Sequence, residues 1–261
     1  MMQMWNRIVL IVSLALIAMT ETPCASPAPD VFDAHVFNHT DGKPLPYRLL
    51  RPHPFDPAKE YPLVLFLHGA GERGMDNVRQ LKNGVGVFAR EVNRTKFPCF
   101  VVVPQCETNL MWVDTPWSLD AHSQPEKPTE PMRLSMELLK SLQKEFKIDS
   151  KRLYIAGVSM GGFGTWDAIM RYPNTFAAAV PCCGGADDSK VAQLAGFPIW
   201  TFHGDNDNVV KTIRTRHVIE AIKKAGGDPK YTEYPGVAHD CWTKAFNEPQ
   251  LLDWLFSQTK K

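Results

Sequence analysis

Hydrophobic positions in this chain come in short continuous blocks separated by polar, glycine- and proline-bearing stretches. The clearest blocks are residues 62–67 (PLVLFL), 100–103 (FVVV), 153–156 (LYIA), 177–180 (AAAV) and 199–202 (IWTF). Each stops at a turn-forming residue: His68-Gly69, Pro104, Gly157, Pro181 and His203-Gly204 respectively. Apolar runs of this length, with no alternation, predict strands buried on both faces, as in a parallel sheet. Residues 47–50 read as an edge strand closed by Arg51-Pro52-His53-Pro54, and the more polar 231–234 as a further strand.

Between the strands the period changes. Leu134, Leu138, Leu142 and Phe146 recur every four residues, with Leu139 widening the stripe and Lys140, Lys144 and Glu145 on the wet side. A second helix is predicted after Ser159. A third covers 218–224 and ends at Ala225-Gly226-Gly227, and 251–256 reads as a closing amphipathic helix. Strands alternating with helices predict an α/β fold: a doubly wound, mostly parallel sheet with helices on both faces. Ligands bind such sheets beyond the carboxyl ends of the strands, so the informative residues are those that follow the apolar runs.

The first residues stand apart from this pattern. Arg7 precedes a mostly apolar run over 8–19, followed by Thr20, Glu21, Pro23, Cys24, Ala25 and Ser26. A positive start, a short apolar centre and small residues near its end predict a secretory signal peptide over 1–26. The run falls short of the ~20 residues of a membrane span, and a retained N-terminal anchor is the alternative. Residues 27–261 are then expected to form one exported domain, periplasmic or extracellular, with no stable membrane span.

Composition narrows the partners. The 261 residues are 44% hydrophobic, and 29 Lys plus Arg against 28 Asp plus Glu leave a net charge of +1. That balance is globular and gives no electrostatic pull toward nucleic acid. Without Cys24, five cysteines remain, Cys99, Cys106, Cys182, Cys183 and Cys241. An odd number leaves one thiol unpaired in the monomer, and a bridge from Cys182 or Cys183 to Cys241 is one hypothesis. No C-x-x-C pair exists and the histidines are scattered, so neither metal nor cofactor is expected.

The chemistry follows the strands. Gly157-Val158-Ser159-Met160-Gly161 is G-x-S-x-G between a predicted strand and a helix. Its glycines permit a tight turn that pushes the serine hydroxyl into the open. A serine is a weak nucleophile near neutral pH unless a base takes its proton and an acid orients that base. In this architecture the chain order is Ser, then Asp or Glu, then His. Asp207, with Asp205 as its rival, follows the 199–202 run, and His239 follows 231–234, so Ser159, Asp207 and His239 are the candidate catalytic residues. An oxyanion hole needs two backbone donors, assigned to Met160 after the nucleophile and to Ala70 in the glycine loop after 62–67. His68 is expected to hold that loop. Trp112 and Trp117, in the irregular stretch 106–131 expected to form a wall or lid, and Trp242, three residues after His239, are candidate pocket residues.

The run from Leu45 through Tyr47-Arg48-Leu49-Leu50, the stretch from Tyr61 to Gly74 and the stretch from Arg152 to Gly162, with Ile148-Asp149, Trp112-Val113-Asp114 and Trp117, resemble secreted bacterial α/β-hydrolases. These are described as phospholipase/carboxylesterase-like, dienelactone-hydrolase-like or "predicted peptidase" proteins. The resemblance covers nearly all of 27–261 and implies the α/β-hydrolase fold with Ser159, Asp207 and His239 as its triad. Cleavage of a small-molecule, glycan or lipid ester through an acyl-enzyme is the expected activity. A peptidase, an acetyl or feruloyl carbohydrate esterase and a non-catalytic binding module are the alternatives.

Overall fold

The computed structural model describes residues 31–40 and 42–260; the expected signal peptide lies outside them. Eight strands form one sheet: β1 (Asp33–Asn38), β2 (Pro44–Leu50), β3 (Tyr61–Leu67), β4 (Phe100–Pro104), β5 (Ile148–Val158), β6 (Ala178–Cys182), β7 (Trp200–Gly204) and β8 (Lys230–Tyr234). Their spatial order is β1-β2-β4-β3-β5-β6-β7-β8. The first two are antiparallel additions at one edge, and β4 through β8 with β3 run parallel. Among the described residues, no helix is long and apolar enough to cross a membrane.

The continuous apolar runs are strands buried on both sides. In β3, Leu63, Leu65 and Leu67 join one core while Val64 and Phe66 join the other. Leu153 and Ile155 of β5 take the first side, and Tyr154 and Ala156 the second. A period of two thus splits one unbroken run between two helical layers. The first layer holds α3 (Glu130–Glu145), α4 (Met160–Arg171) and α5 (Ile213–Lys224). The second holds the short α1 (Gly86–Ala89) and α6 (Trp242–Ala245) and the closing α7 (Leu251–Ser257), with α2 (Glu91–Lys96) at its margin. Leu134, Leu138, Leu139 and Leu142 are buried on α3 as its period predicts.

Two details depart from the expectation. The edge strand β1 is an addition to it, and β6 runs through Pro181 to Cys182 instead of stopping. Pro181 pairs with Gly157 of β5, but having no N–H it cannot complete a ladder on both sides. The β6–β7 pairing is accordingly sparse: Cys182 opposite Phe202, one isolated bridge from Ala179 to Ile199, and a Thr201 hydroxyl donated to Pro181 O at 2.8 Å. The connection from β3 runs outward to β4, whereas β5 leads the other way to β6. The crevice beyond the carboxyl ends of β3 and β5 is therefore the switch point of the sheet.

Candidate active site

Ser159 sits in that crevice, in the turn between β5 and α4, with φ +54° and ψ −116°. Positive φ is strained for a non-glycine residue and must be held by its surroundings. Here the restraint is close packing of backbone on backbone. A Cβ on Gly157 would lie 2.3 Å from Gly161 O, and one on Gly161 only 1.9 Å from Leu67 O. Gly162 is equally confined, 2.4 Å from Cys182 O on the same construction. The Ser159 N–H is donated to Cys182 O at 2.9 Å, which anchors the turn to β6.

Ser159 Oγ lies 2.8 Å from His239 Nε2, and His239 Nδ1 lies 2.7 Å from Asp207 Oδ2. A carboxylate only accepts, so Nδ1 carries the imidazole proton and Nε2 is free to accept from the serine hydroxyl. Gly204 lets the two loops cross: a Cβ there would meet Val237 O at 2.2 Å. Asn206 N–H then bonds Val237 O at 3.0 Å, tying the Asp207 loop to the His239 loop. Asp207 also accepts the N–H groups of Val209 and Val210 on Oδ1, at 2.8 and 2.9 Å. Burial alone would raise its carboxyl, but the hydrogen bonds from His203, His239 and Val210 hold it well below the ordinary carboxylate range. Asp205 is turned elsewhere: it is exposed, and its Oδ1 accepts from Gly236 N–H at 2.6 Å.

Met160 opens α4, and Ala70 opens a single 3-10 turn, Ala70–Glu72. A first-turn N–H has no acceptor within its own helix. The loop carrying Ala70 runs against the serine, since a Cβ on Gly69 would lie 3.6 Å from Ser159 Cβ. Three side chains fix this loop. His68 Nε2 accepts Cys106 N–H at 3.0 Å while Nδ1 lies 2.6 Å from Gly69 O, a tautomer with its proton on Nδ1. Burial pushes His68 down to about 4, so it is neutral. Glu72 is buried, its carboxyl raised by burial, and accepts Asn83 Nδ2 at 2.8 Å. Arg73 Nε donates to Ala70 O at 2.9 Å.

The tryptophans divide. Trp242 meets the His239 ring edge-on at a 5.3 Å centroid separation. Trp117 is half-buried against the core. Trp112 is no lining residue: it is fully buried, its indole N–H donated to His68 O at 2.9 Å, and it braces the Ala70 loop from beneath. The stretch after β4 is pinned to the domain by two arginines. Buried Arg214 donates to Pro116 O at 2.9 Å and Leu119 O at 2.7 Å and lies 4.8 Å over the Phe163 ring. Arg171 similarly donates to Pro125 O at 2.8 Å and Glu126 O at 2.9 Å. Neither arginine, nor Glu72, is marked by the sequence motif.

Cys99, Cys106, Cys182, Cys183 and Cys241 are all buried and free. Cys182 Sγ and Cys241 Sγ approach to 3.4 Å, beside the relay, without a bond. Burial pushes the Cys182 and Cys183 thiols well above their ordinary value, while hydrogen bonds with those two lower Cys241 to about 4.

The chain resembles several esterases. A solved structure of a thermostable esterase superposes with a TM-score of 0.82 at 39% identity, over 88% of this chain and 64% of that one. The bifunctional acetylxylan esterase/xylanase XynS20E of Neocallimastix patriciarum is 36% identical over 74 residues, 28% of this chain and 11% of that protein. Feruloyl esterase B of Piromyces equi is 26% identical over 164 residues, 61% of this chain. The chain spans only 28% of the length of that protein. The phospholipase/carboxylesterase family model matches residues 56–250, from before β3 to the last helix, and so contains the whole crevice. On that match, and with an eight-stranded α/β-hydrolase sheet to carry it, the chain belongs to the phospholipase/carboxylesterase family.

Proposed function

We propose that this chain is an exported serine hydrolase that cleaves carboxylic esters through an acyl-enzyme, with residues 1–26 as its export signal and 27–261 as one catalytic domain. The observation that carries the reading is the continuous hydrogen-bonded chain from Ser159 Oγ through His239 to Asp207, with links of 2.8 and 2.7 Å. Ser159 Oγ attacks the ester carbonyl as its proton passes to His239 Nε2. Asp207 stabilises the imidazolium that forms and keeps its Nδ1 proton in place. The charge on the carbonyl oxygen is met by the N–H groups of Ala70 and Met160. His239 then protonates the departing alkoxide, leaving an acyl-serine and a free alcohol. Water repeats the cycle, giving its proton to His239, and the acid leaves as Ser159 regains its hydrogen. No step draws on a metal or cofactor.

The acetylxylan and feruloyl esterases among the relatives favour a carbohydrate acyl ester as substrate. The test is a panel on purified protein: p-nitrophenyl acetate and butyrate, acetylated xylan, methyl ferulate and a peptide anilide. Turnover of esters, abolished in Ser159→Ala, is expected. Cleavage of the anilide alone would replace the reading with a peptidase, and no turnover together with no fluorophosphonate labelling would leave a binding module.

A further inference from the structure

Behind the relay stands a second imidazole that the proposed chemistry does not use. His203 is in β7, four residues before Asp207, and both side chains are fully buried. Its Nε2 lies 2.9 Å from Val210 O and 3.2 Å from Asp207 Oδ2. Both partners only accept, so Nε2 carries a proton and shares it between them. Its Nδ1 lies 2.7 Å from Thr215 Oγ1, an oxygen that also lies 2.9 Å from Gly184 O. The ring is thus held from α5 and from the turn after β6, independently of Asp207. Oδ2 of Asp207 receives two imidazole N–H groups, one from each side, while Oδ1 receives two backbone N–H groups. Packing alone does not call for this: a leucine or phenylalanine fills a dry site between β7 and α5 without a polar group to satisfy.

We propose that His203 is a positioning residue for the acid, a fixed donor that locks the Asp207 carboxylate with Oδ2 toward His239 and restrains its basicity. The proposal rests on the serine-hydrolase reading. Removing the donor concentrates the carboxylate's charge on His239, which favours the imidazolium and moves the acid limb of activity to higher pH. The other titratable groups facing this site are Cys183 at the end of β6, Cys241 before α6, and Glu233 of β8. Burial keeps Cys183 protonated, Arg216 holds Glu233 down to about 2, and hydrogen bonds with Cys182 and Cys183 pull Cys241 down to about 4; all three are present in every variant compared, so the shift is read against wild type with their contribution held constant.

The experiment compares pH profiles of kcat and KM for p-nitrophenyl acetate in wild type, His203→Met, His203→Gln and Thr215→Val. The glutamine amide places a donor near the position of Nε2; methionine supplies none. His203→Met is expected to lose about 10- to 100-fold in kcat with KM nearly unchanged, the value of one hydrogen bond to a charged group. Its acid limb is expected to rise by about half a unit to one unit. His203→Gln is expected to recover most of kcat and return the limb, and Thr215→Val, which loosens the ring, to shift both slightly the same way. A loss of kcat with an unmoved limb, or equal behaviour of the Met and Gln variants, overturns the proposal. Should His203→Met not fold, an unshifted limb with full kcat in Thr215→Val overturns it instead. Ser159→Ala run alongside separates the two levels: turnover surviving in that variant refutes the serine reading itself, whatever His203 does.

Discussion

Asp207 and Asp205 stand two residues apart in one loop, and the structure separates their roles sharply. Consider Asp207→Asn. Four donors converge on this carboxylate: Val209 N–H and Val210 N–H on Oδ1, His203 and His239 on Oδ2. An amide has one accepting oxygen and one NH2. With the NH2 at Oδ1, it faces two backbone donors at 2.8 and 2.9 Å. With the NH2 at Oδ2, it forces His239 to accept on Nδ1 and carry its proton on Nε2, where it can no longer take one from Ser159. Either orientation also removes the charge that stabilises the imidazolium. The wrong tautomer costs about a thousand- to ten-thousandfold in kcat in comparable relays. Asp205→Asn keeps the one acceptor that Gly236 N–H uses and lies at the surface, so a change within about threefold is expected. Initial rates on p-nitrophenyl acetate, with thermal melts to confirm folding, give both numbers. Equal losses, or a larger loss in Asp205→Asn, refute the assignment.

Other consequences follow from the same contacts. Gly161→Ala places a methyl 1.9 Å from Leu67 O and 2.8 Å from His68 O, both backbone, so the turn must move. A loss of at least about 3 kcal/mol is expected, read as a fall of roughly 6 °C or more in Tm, or as failure to fold. Arg214→Leu releases the carbonyls of Pro116 and Leu119. Limited proteolysis is expected to open near 116–122, with KM rising more than kcat falls; an uncut stretch contradicts its being pinned by Arg214. The Asp207 carboxyl is held well below its ordinary value, so it adds stability that is fully present above about pH 5, begins to fade as pH falls past about 4, and is lost only as pH falls through the lowered folded-state value. Tm of the wild type should therefore drop on acidification more steeply than that of Asp207→Asn, and parallel curves would count against that linkage.

Much of this was legible in the chain because burial on both faces leaves a strong mark. Residues 62–67, 100–103 and 153–156 have almost no polar position and lie in β3, β4 and β5. The Ser159 turn was legible for a different reason: the backbone approaches at Gly157 and Gly161 admit no Cβ. By contrast, β1 has mostly exposed or half-exposed residues, and its place is set by pairing with β2 instead of by any periodicity. Trp112 was misread as a pocket wall because a loop tryptophan gives no local sign of which way it faces. Only the fold brings His68 O to its N–H. His203 and Thr215 were silent for the same reason, being twelve residues apart in sequence and joined across β7 and α5. The thiols of Cys182 and Cys241 do meet, as one bridge hypothesis required, but as free thiols.

The most direct measurement is a crystal structure of the protein inactivated by an alkyl fluorophosphonate, a stable mimic of the tetrahedral intermediate. The phosphorus is expected on Ser159 Oγ, with its anionic oxygen about 3 Å from the amide nitrogens of both Ala70 and Met160 and with His239 Nε2 facing the ester oxygen. A phosphonate bound to another residue, or an oxygen pointing away from those two amides, contradicts the account.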